Sequence, residues 1–142
     1  MTAFVKSEER LQQIRSLFDL DGITVFSDRG NRLVCRNGNY MAEAPDGRPG
    51  FEDEGYLSLF GDDDIFVESN MIKLRSQNPA AYAVTQEQEV GAALQCLSRK
   101  EGIPYTMVSF EVFNRNRKWS DKDVTLLTLL GHCIGDLLNY SE

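Results

Sequence analysis

Two runs, VGAALQCLS at 90–98 and PYTMVSFEVF at 104–113, constrain the fold of this chain more than anything else in it. Both are rich in apolar residues, the second also in β-branched and aromatic ones, and only RKEGI separates them. Strands joined so tightly pair antiparallel, because a parallel return needs a crossover of about a dozen residues or more. Pro104 suits the beginning of the second strand, where a sheet can spare a donor. Side chains alternate along a strand, so each run divides between two faces. Val108, Phe110 and Val112 share one side of their strand, while Met107, Ser109, Glu111 and Phe113 share the other. In the first run, Ala92, Leu94 and Cys96 oppose Ala93, Gln95 and Leu97. The uniformly apolar set is expected to face helices.

Around this pair the remaining elements fall into order. Ser7 is a candidate cap for a helix over 7–18, with Glu8 and Glu9 in its first turn and Leu11, Ile14, Leu17 and Phe18 at helical spacing. ITVFS and RLVCR flank the turn DRGN and predict a hairpin. Residues 37–64, which contain GRPGFEDEG, read as a long loop with a turn of helix at Tyr56–Phe60. DIFVES predicts a strand, and NPAAYAVTQEQE a short helix opened by Pro79. The chain closes on a long helix from a capping box, Ser120 with Asp123 three residues on.

Asp19 and Asp21, in SLFDLDGITVF, resemble the aspartate pair of haloacid dehalogenase-like phosphatases. That chemistry needs the pair at the end of a buried parallel strand, whereas here it follows an amphipathic helix. Lys73 also comes after the acidic FGDDDIF stretch, the reverse of the family's order, and 142 residues leave no room for the repeated strand-helix units. DLDG is therefore read as turn chemistry that ends the helix.

Composition removes other classes. With 22 acidic and 15 basic residues, the net charge of −7 opposes binding to nucleic acid or anionic lipid. The greasiest stretch, Val124 to Leu138, is interrupted by His132 and Asp136 and falls short of the ~20 residues a bilayer span needs. No signal-peptide pattern opens the chain, and three widely spaced cysteines do not suggest a disulfide framework, so a cytoplasmic location is expected. Residues 1–142 are expected to form one domain.

Helix, hairpin, variable loop, strand, short helix, antiparallel pair and final helix resemble the plan of the GAF domain, a sensory module of bacterial kinases, cyclases and phosphodiesterases. The resemblance is closest over GAALQCLSRKEGIPYTMVSFEVFNRNRKWSDKDVTLLTLLGHCIGDLL and elsewhere lies in element order. It implies an α+β fold: a profilin-like central antiparallel sheet, terminal helices on one face, and a potential ligand pocket on the other. In the family's Asn-Lys, Phe, Asp-Glu motif, Asn114 and Arg115 stand for Asn-Lys, Trp119 for Phe and Asp123 for Asp, while Val124 departs from Glu. The resemblance implies that Arg115 and Asp123 brace the corner between strand and helix. The departure makes the motif a better sign of fold than of a cyclic-nucleotide ligand.

If the mixed face is the pocket, Gln95, Ser109 and Glu111 supply hydrogen-bonding groups, Met107 a soft wall and Tyr82 a lid. The alternative is that these polar residues face solvent on an uncovered sheet. No cofactor can be identified from sequence. His132 and Cys133 diverge on a helix, so a core cysteine beside a surface or interface histidine is expected rather than a catalytic pair. Asp62–Asp64 lack the spacing of a known cation loop, and one histidine gives little support for zinc. Bilin-carrying GAF domains use a mid-domain cysteine followed by histidine; here the order is reversed and lies in the last helix.

The expectation is a non-enzymatic regulatory domain that binds a small molecule and signals through its terminal helices to a partner, as a homodimer. Gly131 and Gly135 permit close approach of the last helix to a neighbour or to its own sheet, and apolar residues occupy more than one of its stripes. The alternatives are a GAF-fold free methionine-R-sulfoxide reductase, whose cysteines would lie in loops over the pocket, and a dimerisation domain without ligand.

Overall fold

The computed structural model describes residues 3–27, 32–36, 39–43 and 54–141. Helix α1 (Ala3–Leu17) leads into strands β1 (Gly22–Ser27), β2 (Arg32–Arg36) and β3 (Asn39–Glu43). Helix α2 (Glu54–Leu57) precedes β4 (Ile65–Glu68), a 3₁₀ turn (Met71–Lys73), α3 (Leu74–Gln77) and α4 (Pro79–Glu87). Strands β5 (Val90–Lys100) and β6 (Ile103–Phe113) and helix α5 (Asp121–Ser141) complete the chain. The six strands form one antiparallel sheet in the order β3-β2-β1-β6-β5-β4. The paired runs thus lie inside the sheet, and its topology is the α+β arrangement expected.

The two faces separate as alternation requires. Leu11 and Ile14 of α1 and Leu127 and Ile134 of α5 are buried with Ala92, Leu94, Cys96, Val108, Phe110 and Val112. The opposite layer packs Phe60, Met71, Leu74 and Ala81 over Ala93, Leu97, Met107 and Phe113. Burying either layer stabilises the sheet by about 25 cal/mol per Å² of apolar surface removed from water.

Local chemistry fixes the element ends. Ser120 N–H donates to Asp123 Oδ2 at 3.1 Å and Asp123 N–H to Ser120 Oγ at 3.0 Å, the reciprocal box that starts α5. Asp19 adopts φ 53°, Leu20 N–H reaches Arg15 O at 2.9 Å, and α1 stops in a left-handed cap. Glycines 131 and 135 look inward: a Cβ would stand 2.9 Å from Cys96 Sγ at the first and 3.2 Å from Ser98 Oγ at the second. Their close approach is to the domain's own sheet.

Several expectations change. Helix α1 begins at Ala3, so Ser7 lies within it rather than capping it; no Pro or Gly in residues 3–6 interrupts the turn. Strand β3 emerges from the stretch read as loop, paired antiparallel with β2 from Arg36↔Asn39 to Arg32↔Glu43. Residues 71–77, unassigned from sequence, are helical, with Asn70 Oδ1 accepting from Ile72 N–H at 3.2 Å. Pro79 does open α4, helped by Asn78 Oδ1, which accepts from Ala81 N–H at 3.1 Å. The DRGN turn and residues 37–38 and 44–53 of the expected loop lie outside the described residues. Among the described residues no helix is long and apolar enough to cross a membrane.

Candidate functional site

Register builds a polar row inside the second layer. Thr24 on β1 lies opposite Ser109 on β6, and Ser109 lies opposite Gln95 on β5, so the three share one rung and one face. Glu111 follows two residues after Ser109 and points the same way. Gln95, Ser109 and Glu111 are only 7%, 1% and 5% exposed. The solvated-sheet alternative is therefore overturned.

Buried polar groups need partners, and these form a chain. The Tyr56 hydroxyl, carried by α2, donates to Gln95 Oε1 at 2.9 Å. Gln95 Nε2 donates to Ser109 Oγ at 3.1 Å, and Ser109 donates to Glu111 Oε2 at 2.9 Å. From the other side Thr24 donates to Glu111 Oε1 at 3.1 Å. Every donor along this path points toward the carboxylate.

Electrostatics follow from burial. Desolvation raises the Glu111 pKa from 4.5 to about 6, against the lowering effects of the Ser109 and Thr24 bonds and of the Arg36 charge. Burial, with the Glu111 charge nearby, pushes the Tyr56 phenol well above its ordinary range. The Arg36 guanidinium lies 4.1 Å from the Phe113 ring centroid, donates to Gln88 O at 2.6 Å and stands 3.5 Å from Glu89. The arrangement thus offers acceptor capacity at a desolvated carboxylate, between a tethered cation and a tyrosine on a short helix.

Of the sequence candidates, Gln95, Ser109 and Glu111 come together, and Met107 lies buried in the apolar wall beside them. Tyr82 packs at the margin of the same layer and lines a crevice of about 310 Å³ with Ile72, Gln86 and Asn114. The tyrosine that touches the chain is Tyr56. Tyr56, Thr24 and Arg36 were not singled out from sequence; the parity of Thr24 with Phe26 on β1 was a readable signal for one of them.

The corner brace is corrected. Arg115 Nε reaches Asp21 Oδ2 at 3.3 Å, and Asp123 pairs with Arg117 Nη2 at 3.4 Å instead. The turn after β6, where Asn114 has φ 56°, directs Arg115 toward the end of α1. Asp21 also accepts from Phe113 N–H at 2.8 Å, so the DLDG aspartates close a turn against β6.

The cysteine and histidine expectations change in part. Cys35 and Cys96 are buried in strands, in the layer under α1 and α5, while Cys133 is exposed. Burial pushes the Cys96 thiol up to about 12. His132 Nδ1 lies 3.0 Å from Ser98 Oγ, so the histidine is the tethered neighbour and the cysteine the exposed one. Among the described residues no group of three His, Cys, Asp or Glu gathers to hold a metal ion.

No family model matches the chain, and no curated protein matches it in sequence. Solved structures do match. The red-light-absorbing state of a red/green cyanobacteriochrome aligns with TM-score 0.68 at 14% identity, over 97% of this chain and 94% of the other. A far-red cyanobacteriochrome photoreceptor aligns with TM-score 0.69 at 8% identity, over 100% and 88%. The GAF domain region of a membrane protein from Geobacter sulfurreducens aligns with TM-score 0.64 at 15% identity, over 97% and 93%. Likeness at such identity speaks to architecture, and that architecture is the GAF fold.

Proposed function

From the GAF fold, we propose that residues 1–142 are a single sensory domain that binds a small molecule on its second face and signals through α1 and α5. The supporting observation is the buried chain from Tyr56 to Glu111. With Thr24 on its flank, this chain puts five polar side chains into an otherwise apolar layer, and a few convergent polar groups on an apolar wall are the composition of a small-molecule site. The similar solved structures include photoreceptor domains, which fits a sensory role.

Signalling is proposed to leave through a homodimer in the cytoplasm and a partner protein. Leu126, Leu129 and Cys133 form an exposed stripe on α5, and Leu17 at the end of α1 is 80% exposed. The reductase alternative is disfavoured because Cys35 and Cys96 belong to the layer under the terminal helices and Cys133 lies outside on α5. Native mass spectrometry of freshly purified protein tests ligand binding. A discrete noncovalent adduct on the full chain, lost in Glu111→Ala with folding retained, supports the site; an adduct indifferent to that change places it elsewhere.

A further inference from the structure

We infer that Tyr56, Gln95, Ser109 and Glu111 form a reversible hydrogen-bond switch, in which protonation of Glu111 inverts the chain and changes what the Tyr56 hydroxyl on α2 can hold. The inference stands whether or not a small molecule occupies this face.

An ionised carboxylate only accepts, and that fixes the directions of the chain. Ser109 donates to one of its oxygens and Thr24 to the other. Place one proton from solvent on Glu111 Oε2, and that oxygen becomes a donor to Ser109 Oγ. The Ser109 hydroxyl must then find another acceptor. Gln95 supplies it by rotating its amide half a turn, so that Oε1 accepts from Ser109 and Nε2 donates to Tyr56 Oη. The Tyr56 proton stays on its oxygen and rotates away from Gln95, so the hydroxyl now accepts from Gln95 and presents its O–H to an acceptor brought by a ligand or solvent. Thr24 keeps its bond to Oε1, so only one arm reverses, and no bond between heavy atoms is made or broken.

Three features make the reversal the economical response to a proton. Each intermediate member, hydroxyl or amide, both donates and accepts, so inversion keeps Glu111, Ser109 and Gln95 bonded and shifts the change in donor to Tyr56. Ser109 and Gln95 are buried beyond easy rescue by water, which makes a half-inverted chain costly. The receiving end is a four-residue helix, an element of low intrinsic stability. Tyr56 also packs edge-on against Phe60, with ring centroids 5.5 Å apart, and Phe60 against Phe66, so a change at its hydroxyl reaches the apolar layer.

The groups acting on Glu111 come from several elements. Strand β2 contributes the Arg36 cation, itself paired with Glu89, and α2 contributes the Tyr56 phenol. Strands β1 and β5 contribute the neutral Thr24 and, through Ser109, Gln95. The turn before β1 contributes the Asp21 N–H, which donates to Glu111 O at 2.9 Å, and the Asp21 carboxylate is held by Phe113 N–H and Arg115. A Glu111 pKa of about 6 brings both states into the ordinary pH range.

Carbon-13 NMR of the full chain from pH 5 to 8, observing the Glu111 carboxyl and the Tyr56 ring, tests the switch. Coincident midpoints near pH 6 at both sites are expected, with the Tyr56 response lost in Ser109→Ala while Glu111 still titrates. A Tyr56 signal that stays flat while Glu111 titrates, or a Glu111 that does not titrate in this range, overturns the inference. The wild-type comparison decides the matter alone if the variant does not fold.

Discussion

Arg117 and Asp123 face each other across the corner between β6 and α5, Nη2 to Oδ2 at 3.4 Å, with side chains only 15% and 18% exposed. Arg117 Nη1 also donates to Phe18 O at 2.7 Å and Asp19 O at 3.0 Å, satisfying carbonyls that α1 leaves open at its end. Its guanidinium lies 4.6 Å from the Trp119 ring centroid, and Trp119 Nε1 donates to Glu68 O at 3.1 Å. One side chain therefore joins the end of α1 to the beginning of α5.

Removing it should be costly. Arg117→Ala is expected to lower unfolding free energy by about 1–3 kcal/mol, the range for a hydrogen-bonded charge lost from a partly buried site. Arg115→Ala, which loses a more exposed pair with Asp21, should cost less than about 1 kcal/mol. Denaturant melts of the two variants check the order; equal losses would deny Arg117 the bracing role.

The polar chain gives a second contrast. Gln95→Leu removes the acceptor of the Tyr56 hydroxyl and the donor to Ser109 Oγ at once and should cost about 1–3 kcal/mol, the range for buried hydrogen bonds lost from both ends of one side chain. Tyr56→Phe removes a donor and leaves one Gln95 acceptor short, so about 0.5–1.5 kcal/mol is expected. Thermal melts at fixed pH distinguish them, and a Tyr56→Phe loss larger than that of Gln95→Leu would contradict the chain as described.

The sign of the pH dependence is fixed by Glu111. Its folded pKa of about 6 lies above the ordinary 4.5, so the folded state holds the proton more tightly. The resulting stabilisation is fully present below 4.5, declines as pH rises, and is gone above about 6. A shift of this size corresponds to about 2 kcal/mol. In Glu111→Gln, which cannot titrate, the stability difference from wild type should change by about that amount between pH 4 and 7. Urea melts across this interval provide the measurement, and parallel curves for the two proteins would show that Glu111 titrates alike in both states.

The fold was legible wherever one local rule dominated. Alternation along 90–113 separated the sheet's faces, and Ser120 with Asp123 marked the start of α5, because each signal lies within a few residues. The site was half legible: parity placed Gln95, Ser109 and Glu111 on one face, but nothing local brings Tyr56 to Gln95, 39 residues away. The brace failed for a related reason. Arg115 and Arg117 have the same charge and neighbouring positions, and the turn at Asn114 decides which of them meets Asp123. Tertiary partners chosen by a backbone turn leave little trace in residue type.

The last prediction concerns the outer surface of α5. Gly131 and Gly135 are committed to the sheet, which leaves Leu126, Leu129 and Cys133, spaced three and four apart, as the helix's apolar outer stripe. Leu129 is 62% exposed, so an isolated domain gains little by keeping it apolar, whereas two copies packed along this stripe would bury it. Leu129→Asp should therefore leave the melting temperature of the monomer nearly unchanged while shifting the mass seen by light scattering from two chains to one. Gly131→Val should do the opposite: its side chain collides with Cys96 inside the domain, and overpacking of this kind costs about 1–3 kcal/mol of folding stability. A dimer indifferent to Leu129→Asp would move the interface off α5, and a wild-type chain that scatters as a monomer would remove it.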